Sequence, residues 1–180
     1  MTIFVTGGCK NGKSTVALRQ AIRLGTERRC YVATMLPRDA EELLCVERHR
    51  TARVGMGFTT SEQPYEPSKC FAEVGSDGVF LLDSVTALLA NRMFNDAGEI
   101  HTEAVSEINK ELNVFLDTAE HAIVVSDYIY CDGMGFSETT EEFRHALAML
   151  DRRLAERCDV VVEICGGIPK ICKGEVTWIS

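Results

Sequence analysis

The stretch Thr2-Ile3-Phe4-Val5-Thr6-Gly7-Gly8-Cys9-Lys10-Asn11-Gly12-Lys13-Ser14 decides the fold. A short apolar, β-branched run breaks at two glycines, and Gly7 to Ser14 satisfies GxxxxGK[ST] without a mismatch. Glycines let such a loop curl until successive backbone N–H groups point inward at phosphate oxygens. The helix that follows adds the positive end of its dipole. Gly7, Gly8, Cys9, Lys10, Asn11 and Gly12 are thus expected to wrap a nucleotide's phosphates, with Lys13 on the β- and γ-phosphates and Ser14 on Mg²⁺. Lys13 is expected to face solvent when the loop is empty.

Outward from this loop, short apolar runs alternate with longer helical stretches. Strands are expected over Thr2–Thr6, Cys30–Thr34, Val79–Asp83, Ala122–Ser126 and Asp159–Ile164, with a weaker extended piece over Phe58–Thr60. Helices are expected over Lys13–Leu24, Asp39–Ala52, Thr86–Phe94, Glu103–Glu120 and Glu141–Arg157. In the fourth of these, Val105, Ile108, Leu112, Phe115 and Leu116 share one face. Gly166 and Gly167 turn the chain into a last extended segment ending near Ile179. Uninterrupted Val/Ile/Leu strands between helices mean strands covered on both faces, hence a mostly parallel α/β sheet. Ligands of such sheets sit beyond the carboxyl ends of the strands.

Composition sets outer bounds. With 180 residues, 46% apolar and 26% charged, the chain reads as one ordinary globular domain spanning 1–180, and no linker or repeat divides it. The net charge of −8 argues against a nucleic-acid partner. No apolar run approaches the ~20 residues of a membrane span, and Met1–Thr6 is too short for a signal segment, so a cytoplasmic location is expected. The eight cysteines contain no CxxC pair and are expected to be reduced, buried small hydrophobes, Cys165 within VVVEICGG among them. No His/Cys spacing suggests a structural metal.

An acid at the end of a second buried strand should help hold the loop's metal ion, and Asp83 closes VFLLD. The same residue could instead cap the helix that starts after Ser84. Asn109-Lys110-Glu111-Leu112 begins like the guanine-reading NKxD signature, but it lacks the acid and sits mid-helix, so it is discarded. The residues alone do not choose between GTP and ATP.

Further stretches resemble one family, the bifunctional adenosylcobinamide kinase/adenosylcobinamide-phosphate guanylyltransferases of cobalamin biosynthesis. FVTGGCKNGKS is similar to the family's ILVTGG…SGKS, and CYVAT to its YIAT strand. Glu41 with Glu47-Arg48-His49-Arg50-Thr51-Ala52-Arg53 resembles its E…HR..R helix, and FTTSE (58–62) its W-x-T-x-E. LLDSVTALLANRMF and the block from DGMGFSETTEEF to KICKG follow its later segments, so the resemblance covers nearly the whole chain. It implies a RecA-like phosphate-loop NTPase fold with helices on both faces and an antiparallel C-terminal edge segment. It also implies a homotrimer, a corrinoid substrate, and GTP or ATP with Mg²⁺.

The family's kinase half moves an NTP γ-phosphoryl to the cobinamide aminopropanol hydroxyl. Its transferase half attacks the α-phosphorus of GTP with a histidine, and the resulting GMP passes to cobinamide phosphate. By this resemblance His49 is the nucleophile, whereas composition alone reads it as a surface residue between two arginines. Neutral imidazole is nucleophilic at pH 7 and leaves well when charged. Arg50 and Arg53 suit triphosphate charge, and Thr34, Glu62 and Asp83 fall at GTP-contacting positions of the family.

The chain also departs from the pattern. Phe58 stands for the family's Trp, Asp127-Tyr128 for its Asn-Glu, and His145, Ala148 and Asp151 for its D..G..N. Two other readings therefore stand beside the bifunctional enzyme: a phosphate-loop kinase of a small hydroxylated substrate without guanylyl transfer, and a regulator that binds GTP without turnover.

Overall fold

The computed structural model describes residues 1–25, 27–95, 99–130 and 133–175. Seven strands form one sheet: β1 (Thr2–Gly7), β2 (Arg29–Ala33), β3 (Phe58–Glu62), β4 (Val79–Asp83), β5 (His121–Asp127), β6 (Val160–Cys165) and β7 (Ile168–Lys173). Their order is β3-β2-β4-β5-β1-β6-β7, parallel except for β7, which pairs antiparallel with β6 at the edge. The mostly parallel sheet with an antiparallel C-terminal edge is the expected one. The end of the last segment, residues 176–180, lies outside the described residues.

Strand alternation divides the apolar residues between two cores. Phe4, Phe80, Leu82 and Val124 point to one face and Ile3, Val5, Leu81 and Ile123 to the other, as a period of two requires. The first face is covered by α3 (Cys70–Val74), α4 (Val85–Met93), α5 (Ala104–Thr118) and α6 (Glu138–Arg157). On the second face, α1 (Lys13–Arg23) packs Ala17, Leu18 and Ala21 against the central strands.

The helix α2 (Ala40–Arg53) differs from the others, since Leu43 and Leu44 are exposed and Arg53 is buried. A helix this polar gains little by packing and is held by its ends and by specific contacts. Asp39 caps it by accepting from the Glu42 N–H at 2.8 Å, and Glu42 accepts from the Arg38 N–H at 2.6 Å.

The start of α6 lies three residues before the expected Glu141. The Ser137 hydroxyl accepts from the Thr140 N–H, so the helix begins at Glu138. The turn Pro67–Lys69 and α3 have no counterpart among the expected elements, because five residues carry too little periodicity to read. Asn109–Leu112 lies inside α5, as the rejection of the guanine signature requires.

Cys30, Cys70 and Cys158 are buried thiols, but Cys9, Cys165 and Cys172 are exposed. Cys165 departs from expectation because β6 outruns the core there, at the turn into β7. The Cys45 side chain and Cys131 lie outside the described residues. All six described cysteines are unbridged, so adding reductant is expected to leave the melting temperature unchanged. A reductant-dependent drop of several degrees would contradict this.

Candidate functional site

Two groups of side chains gather at the carboxyl ends of the parallel strands. The first is the loop after β1. Gly7 has φ 154°, and a Cβ there would lie 2.5 Å from the Ile164 carbonyl oxygen of neighbouring β6, so only glycine lets the strands run this close. Gly12, at φ 84°, enters α1 through the left-handed region. The Asn11 side chain ties the loop to the same Ile164 carbonyl at 3.3 Å.

Lys13 does not face solvent. Its ammonium donates to the Gly8 carbonyl at 2.7 Å and pairs with Asp127 Oδ1 at 2.5 Å, and only 5% of the side chain is exposed. The loop thus holds its cation on an internal partner. Asp127 ends β5, the strand hydrogen-bonded to β1, with Gly7 and Asp127 in register. The expected strand stops at Ser126 and leaves Asp127 out, although the rule that selects Asp83 selects it equally. Ser14 is half-buried at the start of α1.

Beneath Asp127 lies a second unexpected acid. Asp151 of α6 is 3% exposed, accepts from the Tyr130 hydroxyl at 3.0 Å, and leaves Oδ1 without a partner. Burial pushes its pKa up to about 7; Ser126 and Tyr130 offset this in part, and Asp127 adds to it. Between about pH 4 and 7 the folded chain thus binds a proton that the unfolded chain has lost. Stability falls as pH rises through that window and is level above it. Asp151→Asn, the residue type of the family pattern, is expected to flatten this slope. It is also expected to stabilise the protein at pH 8 by a few kcal/mol, at about 1.4 kcal/mol for each tenfold difference in proton affinity. Urea melts at pH 5 and pH 8 check it; equal pH slopes in both proteins would contradict it.

The second group lies at the ends of β2, β3 and β4. With α2 these strands enclose a cavity of about 400 Å³ lined by Tyr31, His49, Arg50, Arg53, Glu62 and Asp83 among others. Five of the six sequence-predicted residues outside the loop therefore meet here. Tyr31, the tyrosine of the CYVAT strand, anchors the group, although the sequence assigns it no role. Its hydroxyl donates to Asp83 Oδ2 at 2.9 Å and lies 3.3 Å from His49 Nδ1, while Asp83 Oδ2 is 3.8 Å from the same nitrogen.

The Arg53 guanidinium stacks 3.5 Å over the centre of the Tyr31 ring. Burial lowers its pKa from the ordinary arginine value, and its Nη1 has no hydrogen-bond partner among the described residues. A buried cation with an unused donor is poised for an anion. Arg50 is exposed and held by Glu62 at 2.6 Å and Glu47 at 3.0 Å, carboxylates that raise its pKa.

Thr34 is the exception. It is fully buried, and its hydroxyl donates to the Ser84 carbonyl and accepts from the Ser84 N–H, both at 2.7 Å. Its side chain is committed to shaping the turn after Asp83. The cap of α4 is Ser84, whose hydroxyl accepts from the Ala87 N–H. Asp83 is thus free of the capping role, and it stands with Tyr31 and His49, two strands from β1 with β5 between. At about 4.8 Å per strand this separates it from the loop strand by roughly 10 Å.

A larger cavity of about 800 Å³ between the start of α5 and α6 contains none of the sequence-predicted residues. No cluster of three His, Cys, Asp or Glu side chains among the described residues forms a metal cage of its own. The oxygen donors beside the loop nevertheless suit Mg²⁺, which takes one or two protein oxygens and completes its shell with phosphate and water.

Comparison with known proteins identifies the family and the fold. The profile of the cobinamide kinase / cobinamide phosphate guanyltransferase family matches residues 3–171. The chain is 26% identical to the bifunctional adenosylcobalamin biosynthesis protein CobU of Escherichia coli, over 93% of this chain and 97% of that protein. It is also 26% identical to the bifunctional adenosylcobalamin biosynthesis protein CobP of Pseudomonas aeruginosa, over 97% and 99% of the two chains. Among solved structures the RadB recombinase superposes with a TM-score of 0.52 at 20% identity, over 90% of this chain and 73% of that one, a likeness of fold alone.

Proposed function

The chain belongs to the cobinamide kinase / cobinamide phosphate guanyltransferase family, and from that premise we propose that it performs both reactions of adenosylcobalamin biosynthesis that the family name describes. It would phosphorylate adenosylcobinamide with an NTP and then transfer GMP from GTP, through a covalent histidine–GMP, to give adenosylcobinamide-GDP. The observation that carries the reading is the pairing of a complete phosphate loop with a separate cavity that holds His49 beside a buried, donor-bearing Arg53.

In the kinase step the loop amides and Lys13 grip the β- and γ-phosphates. An entering phosphate would compete with Asp127 for the Lys13 ammonium. Ser14 would hold Mg²⁺, and Asp83, through the oxygen not taken by Tyr31, would take a metal-bound water. When bound, the ion supplies charge neutralisation on the transferred phosphoryl. In the transferase step Arg53 and Arg50 draw in the triphosphate. Arg50 would exchange Glu62 for phosphate, which frees Glu62 for a nucleotide hydroxyl or base edge.

A homotrimer, implied by the family resemblance, and a cytoplasmic location, expected from the sequence, are also part of this reading. Among the described residues no helix is long and apolar enough to cross a membrane.

Incubation with cobinamide, Mg²⁺ and ATP or GTP tests the function. Mass spectrometry of the corrinoid is expected to show cobinamide phosphate with either nucleotide and cobinamide-GDP only with GTP. Cobinamide phosphate alone would favour the kinase without guanylyl transfer. Binding of GTP without any product would favour the regulator.

A further inference from the structure

Tyr31 has one hydroxyl proton and stands between two groups that could take it. Asp83 is a carboxylate, an acceptor only, and the Tyr31 hydroxyl donates to it at 2.9 Å. The same oxygen lies 3.3 Å from His49 Nδ1. With its proton committed to Asp83, the Tyr31 oxygen can only accept from His49. Nδ1 must then carry the imidazole's hydrogen, and the lone pair is on Nε2. We propose that Tyr31 is a positioning residue for guanylyl transfer: it fixes His49 in the Nδ1–H tautomer, and couples the ring to the negative charge of Asp83. This rests on the reading of His49 as the phosphorus nucleophile.

The surroundings fit that task. Asp83 is 9% exposed and His49 38%, so the carboxylate is sheltered while the ring reaches the cavity. Tyr31 itself is 4% exposed, and Arg53 covers its ring. Asp83 therefore fixes the direction of the hydroxyl. The strand β2 carries Tyr31 and is hydrogen-bonded to β4, which carries Asp83, so the sheet itself sets their spacing.

The step balances without moving this proton. Nε2 attacks the α-phosphorus, the N–P bond forms, and the bond from the α-phosphorus to the bridging oxygen breaks. Pyrophosphate leaves with that electron pair. The ring keeps its Nδ1 hydrogen and becomes a cation, and the Asp83 carboxylate, 3.8 Å from Nδ1, faces the new charge. In the second half-reaction a phosphate oxygen of the acceptor attacks the same phosphorus. The N–P electrons return to Nε2, and the neutral Nδ1–H tautomer is restored. Such an arrangement shares the logic of an acid that orients a catalytic imidazole, here with a tyrosine hydroxyl interposed.

Tyr31→Phe removes the hydroxyl and keeps the ring under Arg53. The expected result is a fall of about 10–100-fold in the rate of histidine–GMP formation, the range typical of a lost orienting partner. GTP affinity is expected to stay within about 2-fold, well under the ~1 kcal/mol of a lost direct contact, because phenylalanine keeps the ring under Arg53. A readout independent of rate is the nitrogen NMR of His49 in selectively labelled protein: wild type is expected to show hydrogen on Nδ1, and Tyr31→Phe a shift toward Nε2–H. Wild-type labelling speed in Tyr31→Phe, or an Nε2–H tautomer in wild type, would overturn the proposal while leaving the nucleophile in place. A wild type that binds GTP but never labels would instead refute the nucleophile, and the proposal with it.

Discussion

Lys13→Ala is expected to lose phosphoryl transfer by at least on the order of 10²–10³-fold, the effect of removing one charged donor from a site built around it. The ammonium donates to the loop's own Gly8 carbonyl at 2.7 Å, and a methyl group cannot replace it. The same substitution also touches stability. Asp127 is left beside the loop without its partner at 2.5 Å, which costs about 1–3 kcal/mol in the usual range for a stranded polar group. Kinase assays and urea melts separate the two effects. Lys13→Ala combined with Asp127→Asn is expected to regain much of the stability and none of the activity. Full kinase activity in Lys13→Ala would mean that the loop does not hold the transferred phosphoryl.

That double outcome shows where sequence reading reaches its limit. The loop itself is legible because its chemistry needs fixed residue types at fixed spacing, and residues 7–14 are contiguous. The parallel sheet is legible because strands buried on both faces must be apolar throughout. What the sequence does not show is which partner Lys13 takes inside the fold. Its partner is 114 positions away in the chain, and only the β1–β5 register brings Gly7 opposite Asp127. The role of Tyr31, though not its place in the CYVAT strand, is hidden for a similar reason. On β2 it reads as one more apolar core position, and its hydroxyl acquires meaning only when β4 brings Asp83 beside it and α2 swings His49 across.

His49, Arg50, Arg53 and Glu62 come from family resemblance, since α2 carries little periodicity and its charges look like those of any solvated helix. Their convergence on one cavity with Asp83 is a property of the fold. Thr34 comes from the same resemblance, and its hydroxyl is spent inside the protein on Ser84. A position can matter to a site through the backbone it fixes, and sequence comparison does not distinguish that from direct contact. Asp151 is a further case: the sequence reading gives it no role, and its raised pKa follows first from its burial in the fold.

The second large effect is expected at His49. His49→Ala should abolish guanylyl transfer, because no other described side chain in the cavity offers an uncharged nitrogen lone pair. It should keep at least part of the phosphoryl transfer, which needs the loop, the metal ion and an oriented hydroxyl rather than a protein nucleophile. His49→Asn sharpens the distinction, since asparagine can still hydrogen-bond to Tyr31 but cannot usefully attack phosphorus. Loss of both half-reactions in His49→Ala with an intact fold would mean that the two steps share more of one site than the separated loop and cavity suggest.

Intact-mass spectrometry after incubation with GTP and Mg²⁺, without any corrinoid, tests the central claim most directly. Wild-type protein is expected to gain the mass of one guanylyl group and release pyrophosphate. The adduct should be lost in acid and survive base, as a phosphorus–nitrogen bond to imidazole requires, and His49→Ala should remain unlabelled. A labelled His49→Ala protein, or a wild type that binds GTP and gains no mass, would contradict the account.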